Sequence, residues 1–179
     1  MNPPQAAAAP LMRDQDMDRL QLVVDGWLPA PALVVDRHWN TLAVNAEARS
    51  LLGVTSDREN YLAAFFLDAA ARERYPEWAD LAGRLVGQFR ILAARYPEDP
   101  EFDEIAQRLS EADGEFARLW ERHETCDTSV VSMHIRCPAV GSVRYEQVTL
   151  GLLEHSDLRL MLYVPDGRRG ADTPRDHVR

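Results

Sequence analysis

The spacing of apolar residues along this chain switches between two periods. Ala32 to Val35 is an unbroken apolar run, Asp36 to Asn40 interrupts it with a polar stretch that holds Trp39, and Thr41 to Val44 resumes it. Two short Val/Leu-rich runs joined by a turn that Asp and Asn bracket predict a β-hairpin. Asn45 suits a helix N-cap, because its side-chain oxygen can accept from an otherwise unpaired N–H of the first turn. Ala46 to Arg49 are good helix formers, Leu51 and Leu52 supply the buried side, and Gly53 can take the left-handed conformation that closes the helix.

Helical spacing dominates on either side of this unit. Leu20, Val23, Val24 and Trp27 predict an amphipathic helix over Met17 to Trp27, ended by Pro29 and Pro31. Tyr61 to Leu67 reads as a short helix, and Asp68 caps another over Ala69 to Arg74. Pro76 opens the longest helix, which runs to about Arg95 with Trp78, Leu81, Ala82, Leu85, Phe89 and Leu92 on one stripe. Asp99-Pro100 starts the next, facing the core with Phe102, Ile105, Ala106 and Leu109. Asp113 starts the last, on which Phe116, Leu119, Trp120 and His123 share a stripe. The final third is β-branched and aromatic over Val130–Ile135, Val143–Leu152 and Leu158–Val164, with turns at Pro138–Gly141 and Glu154–Asp157. Short connections make these strands antiparallel. The predicted class is α+β: two strands, a helical block, then three strands.

Composition narrows the function more than the fold. The 179 residues suit one domain with one core, and 46% hydrophobic with 27% charged is ordinary for a globular protein. The 20 basic residues, all Arg, face 29 acidic ones for a net charge of −9. Without a basic stripe this chain is poorly suited to nucleic-acid phosphates or to an anionic membrane surface. No apolar run has the length of a membrane span, and the N-terminus lacks the charged and apolar regions of a signal peptide, so the expected compartment is the cytoplasm. Cys126 and Cys137 form no CxxC and read as reduced thiols. Residues 1–16 and 166–179 are Pro/Ala-rich and Gly/Arg/Asp-rich and read as disordered flanks of a single domain over 17–165.

Several ordered pieces carry a resemblance. They are Pro31–Asn45, Asn60-Tyr61-Leu62 with Phe66-Leu67-Asp68, Ala71-Arg72, Tyr75-Pro76-x-Trp78 and Tyr96-Pro97-x-Asp99-Pro100. The Phe116-x-x-Leu119-Trp120-x-x-His123 helix, Pro138-x-Val140-Gly141 and Leu160-Met161-Leu162-Tyr163 complete the set. Together they resemble the MmyB-like transcription-regulator ligand-binding domain, a PAS-like family found in many actinobacterial regulators. The resemblance implies one five-stranded antiparallel sheet in the order 2-1-5-4-3 with a helical block over one face. The chain departs from the family at Val44, where Trp is usual, and at Cys137-Pro138, where His-Pro is usual. Members usually carry a helix-turn-helix unit ahead of this domain. The Pro/Ala-rich start is too short for one, so the chain reads as a sensor without its own DNA-binding domain.

The candidate site follows from that resemblance. It implies helices held off the sheet around an elongated apolar cavity for a fatty-acyl-like ligand, with no other cofactor. The lining expected is Leu33, Val35, Leu42, Val44, Phe66, Trp78, Leu85, Phe89, Trp120, Leu150 and Leu162, with His123 and Arg118 as polar candidates. Leu160 is expected on the same side, and Arg72, Arg90 and Arg136 are further candidates for a carboxylate anchor, because a guanidinium fork matches a carboxylate. His38, in the hairpin turn, reads as solvated, and His134 as lying on the outer sheet face beside Arg136. No zinc spacing, GxSxG, GxGxxG or P-loop occurs, so no metal centre and no enzyme are expected. The partners expected are a small apolar ligand and either a second copy or a DNA-binding regulator. The rival reading is a ligand-free module that pairs through the sheet face or the N-terminal helix, and a small enzyme on a PAS-like fold ranks behind both.

Overall fold

The structure is a computed structural model and describes residues 14–54, 58–124, 130–137, 141–153 and 155–166. Helix α1 (Asp14–Asp25) precedes a hairpin of β1 (Ala32–Val35) and β2 (Thr41–Val44). The helical block follows as α2 (Ala46–Leu52), α3 (Tyr61–Leu67), α4 (Ala69–Arg74), α5 (Trp78–Arg95), α6 (Glu101–Ala112) and α7 (Gly114–Glu121). Strands β3 (Val130–Cys137), β4 (Gly141–Leu152) and β5 (His155–Pro165) close the chain. All strand pairs are antiparallel and the order is β2-β1-β5-β4-β3, the PAS-like order expected. The predicted turn at 138–140 and the predicted tail at 167–179 lie outside the described residues, as do 1–13 and Cys126.

Local chemistry sets most boundaries. Asn45 accepts from Ala48 N at the start of α2, and Gly53 ends it at φ 73°. Asp68 accepts from Ala70 N and Asp113 from Phe116 N, capping α4 and α7. The two proline starts fall one or two residues later than expected. Trp78, not Pro76, is the first residue of α5, with Glu77 at its cap, and Pro100, not Asp99, holds the cap position of α6. At the front of the chain α1 begins at Asp14, inside the stretch expected to be disordered.

The sheet is covered by the helical block on one face and, over β1, β2 and part of β5, by α1 on the other, where the sequence suggested helices on one face alone. Towards the helical block, Leu33, Val35, Val44, Val131, Met133, Ile135, Met161 and Tyr163 join the apolar stripes of α3 and α5 to α7 in the main core. On the other face, Leu20 and Val24 of α1 meet Ala32, Val34, Ala43, Leu158, Leu160 and Leu162 in a second cluster. Leu160 and Leu162 therefore point away from the helical block, with Met161 and Tyr163 taking the inward positions. Continuous apolar runs such as Leu160–Val164 hide this parity, because a strand buried on both faces shows no alternation. In α1 only Leu20 and Val24 are buried; Val23 and Trp27, expected on the packed stripe, are exposed.

Candidate functional site

The helix–sheet interior is the natural place for a ligand, and it is built mainly of rings. Phe65 stacks on Trp78 at 5.4 Å, and Phe66 meets both Trp78 and Phe116 edge-on. Phe116 stacks on Trp120, which approaches Phe89, and Phe89 meets Trp39 edge-on at 6.0 Å. Trp39 reaches this cluster because its left-handed backbone, φ 67°, lets a hairpin-turn residue point inward. Its indole N–H is buried and finds no partner among the described residues. Such packing fills the space that the sequence reading left for an elongated cavity. Beside the rings lies a cavity of about 10 Å³, room for roughly one water. Tyr61, Phe65, Tyr75, Leu85, Val131 and Met133 line it, with Arg84, Gln88 and Gln147 as polar neighbours. Among the described residues, large rings interlock where the open cavity was expected.

Three tyrosines put hydroxyls inside this apolar space. Tyr61 and Tyr163 share a hydrogen bond of 2.9 Å, and Tyr75 lies alongside Tyr61. Burial pushes all three hydroxyls well above the ordinary tyrosine range, and their mutual proximity adds to the effect. They stay neutral donors and acceptors at any physiological pH. No single side chain announced this group, since the three lie on α3, on the segment before α5 and on β5.

A wider opening lies at the end of the sheet. A groove of about 1160 Å³ runs between the Pro29–Pro31 turn, α2, α4 and the ends of β3 to β5. Leu51, Cys137 and Tyr145 line it and also pack against the main core, so the groove leads towards the interior. Arg74 and Arg136 supply cations at its wall, opposed by Glu47 and Glu73. Arg74 is already engaged by Leu52 O at 3.0 Å and Asp68 at 3.2 Å, whereas Arg136 makes one long contact to Glu73 O. Burial raises the Cys137 thiol above its usual value, which disfavours the reactive thiolate.

The expected site residues divide accordingly. Leu33, Val35, Val44, Phe66, Trp78, Leu85 and Phe89 are buried in the main core, and Trp120 is half-buried against it. Leu42 and Leu162 belong instead to the opposite face, with Leu42 packed against the cluster under α1. Leu150 points outward and is exposed, because it pairs with Leu160 on the outer row. Arg118 is exposed and bound to Glu115 one turn earlier, so it anchors nothing in the interior. His123 lies past the end of α7 at φ 55°, exposed, with its ring against Glu121 O; the helix stops before the stripe reaches it. Arg72 lies over the Trp78 ring and pairs with Asp113, and Arg90 binds the Leu119 and Trp120 carbonyls at the end of α7. Of the arginines singled out, only Arg136 reaches the groove.

His38 is also placed differently from expectation. It is 7% exposed, with Nε2 at 3.0 Å from Asp99, Nδ1 at 3.4 Å from Glu101 and its ring against Phe102. Donor atoms of His38, Asp99 and Glu101 converge closely enough for a metal ion. However, Arg37 lies 3.4 Å from the same Asp99 oxygen and already supplies positive charge. The arrangement is a clasp between the hairpin turn and the start of α6.

Fold and interior together define a class: a PAS-like α+β domain with a closed aromatic core and a groove leading to it. The particular family follows from comparison. Residues 17–173 match the MmyB-like transcription regulator ligand binding domain, and the chain belongs to that family. No curated protein matches the chain. Among solved structures, the PAS domain of an HTR-like protein from Haloarcula marismortui is similar at TM-score 0.37 and 11% identity, covering 86% of this chain and 99% of that one. Among the described residues no helix is long and apolar enough to cross a membrane.

Proposed function

We propose that this chain is the sensory module of a transcription regulator and that it takes up a small molecule with an apolar body and an anionic end. Its family is a ligand-binding domain of regulators. The observation that carries the chemistry is the groove, whose inner wall, Leu51, Cys137 and Tyr145, is continuous with the apolar core. The apolar body of the ligand enters between sheet and helices, where each buried methylene stabilises by about 0.8 kcal/mol. Arg136 at the groove wall meets the anionic end. Drug-sized ligands occupy roughly 300–1,000 Å³, so the interior must open to accept one. Met133 and Leu85 at the small cavity can change rotamer, and Met is the side chain that re-packs most readily. A ligand that binds only the opened state shifts the population towards it. The reading is of a binding module with no catalytic step.

The test is thermal unfolding with lauric acid, together with native mass spectrometry of the protein as purified. A saturable rise in Tm is expected, corresponding to about 2.7 kcal/mol at a hundredfold excess over Kd. Arg136→Ala should weaken laurate but leave dodecanol unchanged. No co-purified small molecule and no shift with either compound would overturn the proposal.

A further inference from the structure

A buried amide lies on the inner face of the sheet. Strand pairing aligns Val131 of β3, Gln147 of β4 and Tyr163 of β5 in one cross-strand row, and Val131 and Tyr163 belong to the main core. Gln147 therefore points between sheet and helices, where it is 3% exposed. It lines the small cavity, and no hydrogen bond ties its amide to another described residue. Tyr61 and Tyr75 line the same cavity from the helical side, and Tyr61 bonds the hydroxyl of Tyr163 in the row. Trp39 stands edge-on to Tyr61, with its buried indole N–H unpartnered among the described residues. A buried amide or indole without a partner forfeits the hydrogen bonds it made in water. A leucine at position 147 would fill the same space without that loss, so packing alone does not account for the glutamine.

The chemistry of the lining selects what could satisfy these groups. The cavity of about 10 Å³ admits one oxygen-sized group. An amide and a hydroxyl both donate and accept, so a hydroxyl or a carbonyl oxygen suits them equally. The buried lining is neutral, and Arg84, its one cation, is exposed. A carboxylate buried there would lack a buried counter-charge, which a neutral oxygen does not need. Strand register gives the direction. Tyr145, on the groove wall, and Gln147 are alternate residues of β4 and share its inner face. Arg136 lies five residues along β3 from Val131, the partner of Gln147, a run of about 17 Å at roughly 3.4 Å per residue. A medium-length chain whose anion meets Arg136 brings its other end to Gln147. We propose that Gln147, with Tyr61 and Tyr75, recognises a neutral oxygen at the end of the ligand remote from its anion. This rests on the uptake of an apolar, anionic molecule proposed above, and it sets the class: an acyl-type chain with a hydroxyl or carbonyl at its far end.

Calorimetry of the full chain with lauric acid and with its ω-hydroxy derivative tests it. In an apolar core without partners the added hydroxyl weakens binding, because it gives up its water. The wild type should instead bind the ω-hydroxy acid at least about tenfold more tightly than laurate, the effect of one well-placed buried hydrogen bond. Gln147→Leu, which keeps the bulk of the side chain, should abolish or reverse that preference while laurate still binds, and Tyr61→Phe should reduce it. Circular dichroism confirms that each variant is folded. A wild type that binds the two acids equally or prefers laurate overturns the inference and leaves the ligand reading standing, as does a preference that both variants retain. Binding of neither acid overturns the inference and counts against the reading it rests on as well.

Discussion

Asn45 shows how much one residue can hold. Its side-chain oxygen accepts from Ala48 N and Ala32 N, and its amide nitrogen donates to Val24 O and Ala30 O. One buried side chain thus joins α1, the turn before β1, β1 and α2. Replacing it with Ala leaves buried donors and acceptors unpaired and removes a cap, so Asn45→Ala should cost about 3 kcal/mol in urea unfolding. The buried tyrosines make a second prediction at this scale. Tyr61, Tyr75 and Tyr163 titrate well above their ordinary value of 10.0 in the folded chain. The folded state therefore retains protons that the unfolded state loses. Their contribution is full below about pH 10 and is lost as pH rises further, by up to about 1.4 kcal/mol per pH unit for each tyrosine. Denaturant unfolding followed from pH 9 to 11.5 should show that slope, and Tyr61→Phe should reduce it.

At the scale of elements, α1 and the strands explain why some faces were misread. The helical period identified α1, but not which of its apolar residues would be buried. Leu20 and Val24 meet the sheet, whereas Val23 and Leu22 face outward. Val24→Ala should then destabilise by about 1–2 kcal/mol and Val23→Ala by less than about 0.5, measured by chemical denaturation at a concentration where the chain is monomeric. The strands fail for another reason. Val130–Cys137 alternates and its buried residues were legible, but His134 bonds Glu77 at the head of α5 and Arg136 reaches Glu73 O of α4, so both edge-strand side chains turn towards the helical block. Leu160–Tyr163 is apolar throughout, so its parity came only from pairing with β1, where Leu33 lies opposite Met161. Leu162 was misplaced for that reason, Leu150 with it through its pairing with Leu160, and Leu42 because the β1–β2 register shifts beside it. His38 was missed because its burial depends on Asp99, Glu101 and Phe102, about sixty residues away in the chain.

On the scale of the whole molecule, the sheet separates two roles. Its inner face packs an aromatic core over the candidate ligand space, and its outer face is partly covered by α1. Removing bulk from the inner side tests whether the closed core is a ligand space. Leu85→Ala should cost about 3 kcal/mol of stability by leaving a cavity beside Tyr61 and Met133. A dry apolar cavity of that kind takes up apolar molecules, so the variant should bind laurate more tightly than the wild type in calorimetry. If stability falls without a gain in affinity, the ligand space lies elsewhere.

The sequence by itself determined the elements, their order and the family. Those depend on local chemistry: caps at Asn45, Asp68 and Asp113, a left-handed glycine at Gly53, and periodicities readable within a few turns or a few strand residues. Only the tertiary structure decided which side of an all-apolar strand faces the helices. It also decided how the rings interlock between sheet and helices, and that Arg136, not Arg118, stands at the groove. These outcomes depend on strand register and on how rings from distant elements interlock, and neither leaves a period in the chain.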